Sequence, residues 1–203
     1  MTALLDKSVK VLYLSLGGND SLNNWNRSFD QKQNFELATR IKNDIGKIVN
    51  VYRTLRPDIK ILVSGYDFPR FEPKHALSFY RELHEKIGSP SSLEINQMLI
   101  QFSAIVADIA DNESVFYIHH IGLMQYYFGN ESAGIPAFTT TPPELISPRI
   151  NPKQFGGDPQ FSSDYKAMRR WEEYFVDSFH LTSFGYDRIA DHAMNTYIKY
   201  WIE

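Results

Sequence analysis

The chain has 203 residues, a composition rich in Phe and Tyr, and a formal net charge of −3. That length supports one domain with a substantial core, and the weak negative charge gives no electrostatic case for nucleic acid or an anionic membrane as partner. Cysteine is absent, which excludes disulfides, thiolate catalysis and Cys-ligated metal; no apolar run is long enough to span a bilayer.

Val9 to Leu16 reads as a buried strand, ended by Gly17 and Gly18, and Asn19 to Asp30 as a polar loop. Residues 34–55 carry Leu37, Ile41, Ile45, Ile48, Tyr52 and Leu55 at helical spacing, and Arg56-Pro57-Asp58 stops that helix. Ile59 to Ser64 is a second strand, ended by Gly65. A short helix is expected over 73–86, and Ser91 with Glu94 forms a capping-box pattern before a helix whose apolar face runs from Ile95 to Ile109. Ser114 to His119 is a third strand. Residues 123–163 hold six of the ten prolines and read as a long irregular insertion; its aromatics favour packing over disorder, as a lid over a pocket or as a loop packed on the surface. A helix over 164–176, a site loop and a last helix from Ser183 to Trp201 complete the chain, with Tyr186, Ile189, Ala190, Ala193, Met194, Tyr197 and Ile198 inward. Strands alternating with helices imply an α/β fold, a parallel sheet covered on both faces, in one domain over 1–203. Sites on such sheets sit at the carboxyl ends of strands.

Two motifs carry chemistry. Asp177-Ser178-Phe179-His180 places a carboxylate three residues before an imidazole, so one tight turn delivers a general base and the group that orients it. Its other reading is the start of a helix with an incidental His. Gly17-Gly18-Asn19-Asp20 follows a strand: the glycines let backbone approach a ligand, the Asn19 amide can donate to a developing oxyanion, and Asp20 braces the loop. Its other reading is an ordinary turn. His119-His120 reads as a pair of core or cleft-rim histidines rather than metal ligands, because no Asp, Glu or His partner has ligand spacing; no metal and no cofactor is expected.

Taken together, Gly17-x-Asn19-Asp20, the strand ending Val63-Ser64-Gly65-Tyr66, and Asp177-x-x-His180-Leu181-Thr182 with Gly185-Tyr186 resemble, in order and context, the SGNH (GDSL-type) hydrolase family. The resemblance spans essentially the whole chain, with 123–163 as a family-atypical insertion. It implies a flavodoxin-like three-layer α/β/α sandwich and hydrolysis of a small-molecule ester, thioester or acylated sugar. It further implies Asn19 as oxyanion donor with Gly17 and Gly18 at the oxyanion and substrate position, His180 as base and Asp177 as its orienter.

The family's nucleophile block, Gly-Asp-Ser, and its second block lie several dozen residues before Gly-x-Asn-Asp, which here begins at residue 17; Gly-Asp-Ser occurs nowhere, and Gly157-Asp158 runs into Pro159. Ser21 follows the oxyanion residue and reads as a loop or cap serine. The chain therefore reads as the C-terminal portion of a larger hydrolase lacking the first strands, with its nucleophilic Ser upstream of Met1 and no esterase activity of its own. Val9 to Leu16 would then be an unpaired sheet edge. The other readings are a self-standing degenerate homologue and a non-catalytic carbohydrate- or acyl-binding protein.

Overall fold

The computed structural model describes residues 6–71, 77–140, 153, 155–171 and 175–202. The central sheet has β1 (Val11–Ser15), β2 (Lys60–Ser64) and β3 (Val115–Ile118) in that order, all parallel, with Tyr13 opposite Leu62 and Val63 opposite Tyr117. Between β1 and β2 run α1 (Gly18–Asn24) and α2 (Gln31–Leu55); between β2 and β3 run α3 (Ser78–Lys86) and α4 (Ser92–Val106).

The period of two along the strands divides the core. Ile61, Val63, Val115 and Tyr117 pack on one face beneath Ile41 and Ile45 of α2 and Leu99 and Phe102 of α4, joined by Leu12, Leu14 and Leu16. Leu62 and Ile118 point the other way, into a cluster with Ala193, Tyr197 and Trp201 at the C-terminal end of the chain. The protein is thus an α/β protein with helices on both faces of a three-stranded parallel sheet. Among the described residues no helix is long and apolar enough to cross a membrane.

β1 has one strand neighbour among the described residues, and Tyr13 is 39 % exposed. The strand that reads as buried in sequence is half-covered: its leucines face the core, and Tyr13 and Ser15 stand open on the opposite face. Arg56, buried at the end of α2, holds the approach to this strand by donating to the carbonyls of Asp6 and Val9 while its fork grips Asp58.

Several elements differ from the sequence expectation. The stretch after Gly17 is not a loop but begins with α1, because burying Leu22 and Trp25 outweighs the poor helix propensity of Gly and Asn. α2 starts at Gln31, set by a capping box between Asp30 and Gln33, and its C-terminal half turns Val49 inward, leaving Ile48 and Leu55 exposed. The Ser91–Glu94 capping box is formed. The start of the helix expected over 73–86 lies outside the described residues; the remainder is α3.

The helix expected over 164–176 does not form among the described residues. In its place β4 (Met168–Trp171) pairs antiparallel with β5 (Phe175–Leu181), with a register shift between Met168 and Arg170. Met168, Trp171 and Phe175 have helical spacing, but the segment is rich in residues that favour a pleated, half-buried surface. The expected site loop is therefore part of strand β5. The last helix is interrupted: α6 (Ser183–Ala193), a π-helical turn (Met194–Ile198) and α7 (Lys199–Ile202) follow one another. Within α6, Gly185, His192 and Ala193 are buried while Tyr186 and Ala190, expected inward, are exposed; in the π-helical turn Tyr197 is buried and Met194 is exposed.

In the 123–163 segment, α5 (Leu123–Phe128) is followed by a chain path held by buried amides. Gln125 donates to the carbonyls of Asp158 and Phe161, and Asn130 donates to that of Ser162. Residues 141–152 of the segment lie outside the described residues.

Candidate functional site

A cleft of about 550 Å³ opens at the carboxyl ends of β1 and β2, the position expected for a parallel sheet. Its walls come from α1 (Gly18, Asn19, Leu22), the segment after β2 (Tyr66, Phe68), α3 (Phe79, Tyr80), β5 (Phe179, His180) and the first turns of α6 (Tyr186, Ile189). The lining is aromatic and aliphatic with a few polar groups, the usual make-up of a small-molecule site.

β5 delivers the imidazole. The Oδ1 atom of Asp177 accepts the backbone N–H groups of Phe179 and His180, both at 2.9 Å, and Oδ2 lies 2.8 Å from His180 Nδ1. Asp177 is 2 % exposed, whereas the His180 side chain is 57 % exposed and lines the cleft. With Nδ1–H directed at the carboxylate, Nε2 keeps its lone pair, and among the described residues Nε2 has no hydrogen-bond partner.

Sequence reasoning missed Tyr80. Its hydroxyl, carried by α3, lies 3.3 Å from His180 Nδ1, beside the Asp177 carboxylate. Burial pushes the Asp177 carboxyl up, but the N–H groups of His180 and Phe179, the His180 ring and the Tyr80 hydroxyl outweigh it and hold the group below the usual range. The same contact, after burial, pushes the Tyr80 phenol up. Edge-to-face packing of Tyr80 on Phe179, at 5.5 Å, fixes the two elements against each other.

Asn19 and Gly18 share the cleft with His180, and Asp177 stands behind the ring. The Asn19 side chain makes no hydrogen bond among the described residues. Gly17 is not part of the lining. It has φ +93° and lies under α2 and α4, where an added Cβ would meet Ile41 at 2.9 Å. Gly18 is closed off in another way: its N–H donates to the Tyr66 hydroxyl at 3.0 Å, and a Cβ there would fall 2.5 Å from the Tyr66 ring. Ser21 donates to the Gly18 carbonyl, the role of a helix serine. Asp20 is exposed, and its carboxylate makes no hydrogen bond among the described residues.

No residue of 123–163 that the structure describes lines the cleft; the segment braces it from behind. Asp67, which does line it, accepts the N–H groups of Phe68, Gly122 and Met124. Burial pushes its carboxyl up to about 7, against those three donors. Ser163 donates to the Phe68 carbonyl, and Arg70 N–H to that of Ser178 on β5.

A polar seam runs from the cleft lining into the core. The Tyr13 hydroxyl donates to Ser64 Oγ at 2.7 Å, Ser64 Oγ lies 3.0 Å from His120 Nε2, and His120 Nδ1 lies 3.1 Å from His192 Nδ1. Burial, then the neighbouring histidines, pushes His120 well below its ordinary range; burial and His119 push His192 down to about 3. These are core histidines in neutral form, and among the described residues no group of three or more His, Asp or Glu is placed to hold a metal ion. The fold is that of an α/β protein, with an aromatic-lined cleft at the carboxyl ends of its parallel strands. The sequence matches no protein-family model, and no curated protein matches it.

Proposed function

We propose that the cleft is the acyl-transfer site of a serine-type ester hydrolase of the SGNH kind, on a flavodoxin-like three-layer frame, acting on a small-molecule ester or acylated sugar. The observation that carries this reading is the His180 ring, clamped at Nδ1 by buried Asp177 and turning an unpartnered Nε2 to the cleft that holds the unspent amide of Asn19. In the reaction a serine Oγ attacks the acyl carbon while its proton passes to His180 Nε2. The carbonyl π pair moves onto oxygen, where the Asn19 amide donates. Collapse expels the alcohol oxygen, which takes the proton from Nε2; a water repeats both steps and releases the acid. Asp177 stabilises the imidazolium throughout.

Two serines of this cleft are engaged elsewhere, Ser21 on Gly18 and Ser64 on His120 and Gly65, while Ser15 at the end of β1 stands open. The proposal takes the nucleophile from a serine outside these 203 residues. The chain alone then hydrolyses p-nitrophenyl esters at background, since loss of the nucleophile in a comparable triad enzyme costs about 10⁶ in turnover. A longer protein carrying residues encoded upstream of Met1 is expected to turn such esters over and to lose about 10²–10³ in rate on Asn19→Ala. Asn19-dependent turnover by the 203-residue chain overturns the outside nucleophile, and a longer protein indifferent to His180→Ala overturns the hydrolase reading. A non-catalytic acyl- or carbohydrate-binding role is the second reading, favoured by the unpartnered Nε2 within an aromatic cleft; in that case the longer protein binds ligand without turnover.

A further inference from the structure

The second oxyanion donor implied by the sequence, the backbone at Gly17 and Gly18, is not available to a ligand: Gly17 is buried away from the cleft, and the Gly18 N–H is already given to Tyr66. We infer that the Tyr66 hydroxyl takes over that role and, with the Asn19 amide, donates to the acyl oxygen of the bound ligand. The inference rests on the acyl-transfer reading of the cleft.

Three observations carry it. Tyr66 lines the cleft beside Gly18 and Asn19, and its oxygen accepts the Gly18 N–H at 3.0 Å. Its own proton has no acceptor among the described residues, so one donor at the cleft wall is unspent. Finally, the absence of a side chain at residue 18 is what lets the phenol sit there, because a Cβ would occupy the ring's place. A hydroxyl that accepts one hydrogen bond donates the next more strongly, so the amide of Gly18 acts on the ligand through the phenol. The reach of the side chain extends the donor beyond what a backbone N–H at the strand end could touch. Tyr66 thus adds a directional contact beside Asn19 in a cleft whose other walls are mostly apolar.

The test is octanoate binding, followed by calorimetry and by NMR chemical shifts on the 203-residue chain, since the carboxylate presents the charged oxygen without requiring a nucleophile. Tyr66→Phe keeps the ring against Gly18 and removes the hydroxyl; it is expected to weaken octanoate about tenfold or more, as loss of a hydrogen bond to a charged group does. Incorporating 3-fluorotyrosine at position 66, a stronger donor, is expected to tighten it. A role confined to satisfying the Gly18 N–H lowers the melting temperature of Tyr66→Phe but leaves the octanoate affinity unchanged, and that result overturns the inference. If Asn19→Ala weakens octanoate while Tyr66→Phe does not, the inference fails with the acyl-site reading standing. If the wild-type chain shows no octanoate binding, Tyr66 has no ligand oxygen to meet and the inference fails as well; the acyl-transfer reading is then judged separately by turnover in the longer protein.

Discussion

Four groups favour the Asp177 carboxylate. The His180 ring and the N–H groups of Phe179 and His180 on its own strand bond it directly, and the Tyr80 hydroxyl from α3 stands beside it. Each donor favours the carboxylate, and the group's depressed titration is their sum against burial. Tyr80→Phe removes one of them without changing the packing on Phe179. The Asp177 titration is expected to rise, read from the side-chain carboxyl carbon by NMR; an unmoved midpoint shows that the hydroxyl does not stabilise the charge. A carboxyl depressed in the folded state contributes stability above its unfolded pKa and loses it as pH falls through the folded value. The Tyr80→Phe protein therefore loses that contribution at higher pH than the wild type. Asp177 and His180 were legible in sequence because their geometry is local, three residues apart on one strand. Tyr80 and Tyr66 were not: they reach His180 and Gly18 across separations of 100 and 48 residues, and only the packed fold sets those pairs together. Tyr66 did stand in a readable place, at the carboxyl end of a strand.

At the scale of elements, the strands of the central sheet were legible because continuous apolar runs between glycines and polar turns have few alternative uses. The β4–β5 hairpin was not. Its apolar residues satisfy a helical spacing as well as a strand pairing, and the choice is made by Met168 meeting Leu181 and by Ala167 and Met168 packing on α5 and α6. The hairpin is what aims His180, and α6 locks it from behind. The Thr182 hydroxyl caps α6 by accepting the Gly185 N–H, and the Thr182 N–H reaches the Ala167 carbonyl. Gly185 is the point of closest approach: a Cβ there would lie 2.9 Å from Leu181 Cβ and 3.2 Å from the Ala167 carbonyl oxygen. Neither neighbour is a flexible chain end that can swing aside. Gly185→Ala is expected to destabilise the protein by about 1–3 kcal/mol, the usual cost of overpacking, despite the better helix propensity of Ala. Urea unfolding measures it; a variant as stable as the wild type shows that α6 can lift from the hairpin without loss.

Across the whole molecule, the open face of β1 and the core beneath the cleft are joined by polar groups buried in neutral form, and their protons set a pH dependence with opposing parts. His192 titrates at about 3 in the folded protein and His120 well below its ordinary value, against about 6.5 when unfolded. Between those limits the unfolded chain binds more protons at both sites, so stability falls as pH falls through that window. Asp67 does the reverse. Its folded value of about 7 lies above the unfolded carboxyl range, so the folded state holds the extra proton and stability rises as pH falls from about 7 to about 4. The two histidines outweigh the one carboxyl, and carboxyls held low in the folded state, Glu94 and Glu131 among them, add to the protons the unfolded chain takes up. Wild-type stability is expected to fall on acidification between pH 6 and pH 4.5. Asp67→Asn keeps an oxygen for the backbone donors and removes the opposing titration, so its slope is expected to steepen. His192→Gln removes one of the two histidines, and its slope is expected to flatten. The measurement is urea unfolding at several pH values for all three proteins. Equal slopes in the wild type and Asp67→Asn show that three backbone N–H groups keep Asp67 charged throughout, and that the cleft wall it braces carries a permanent negative charge beside the ligand.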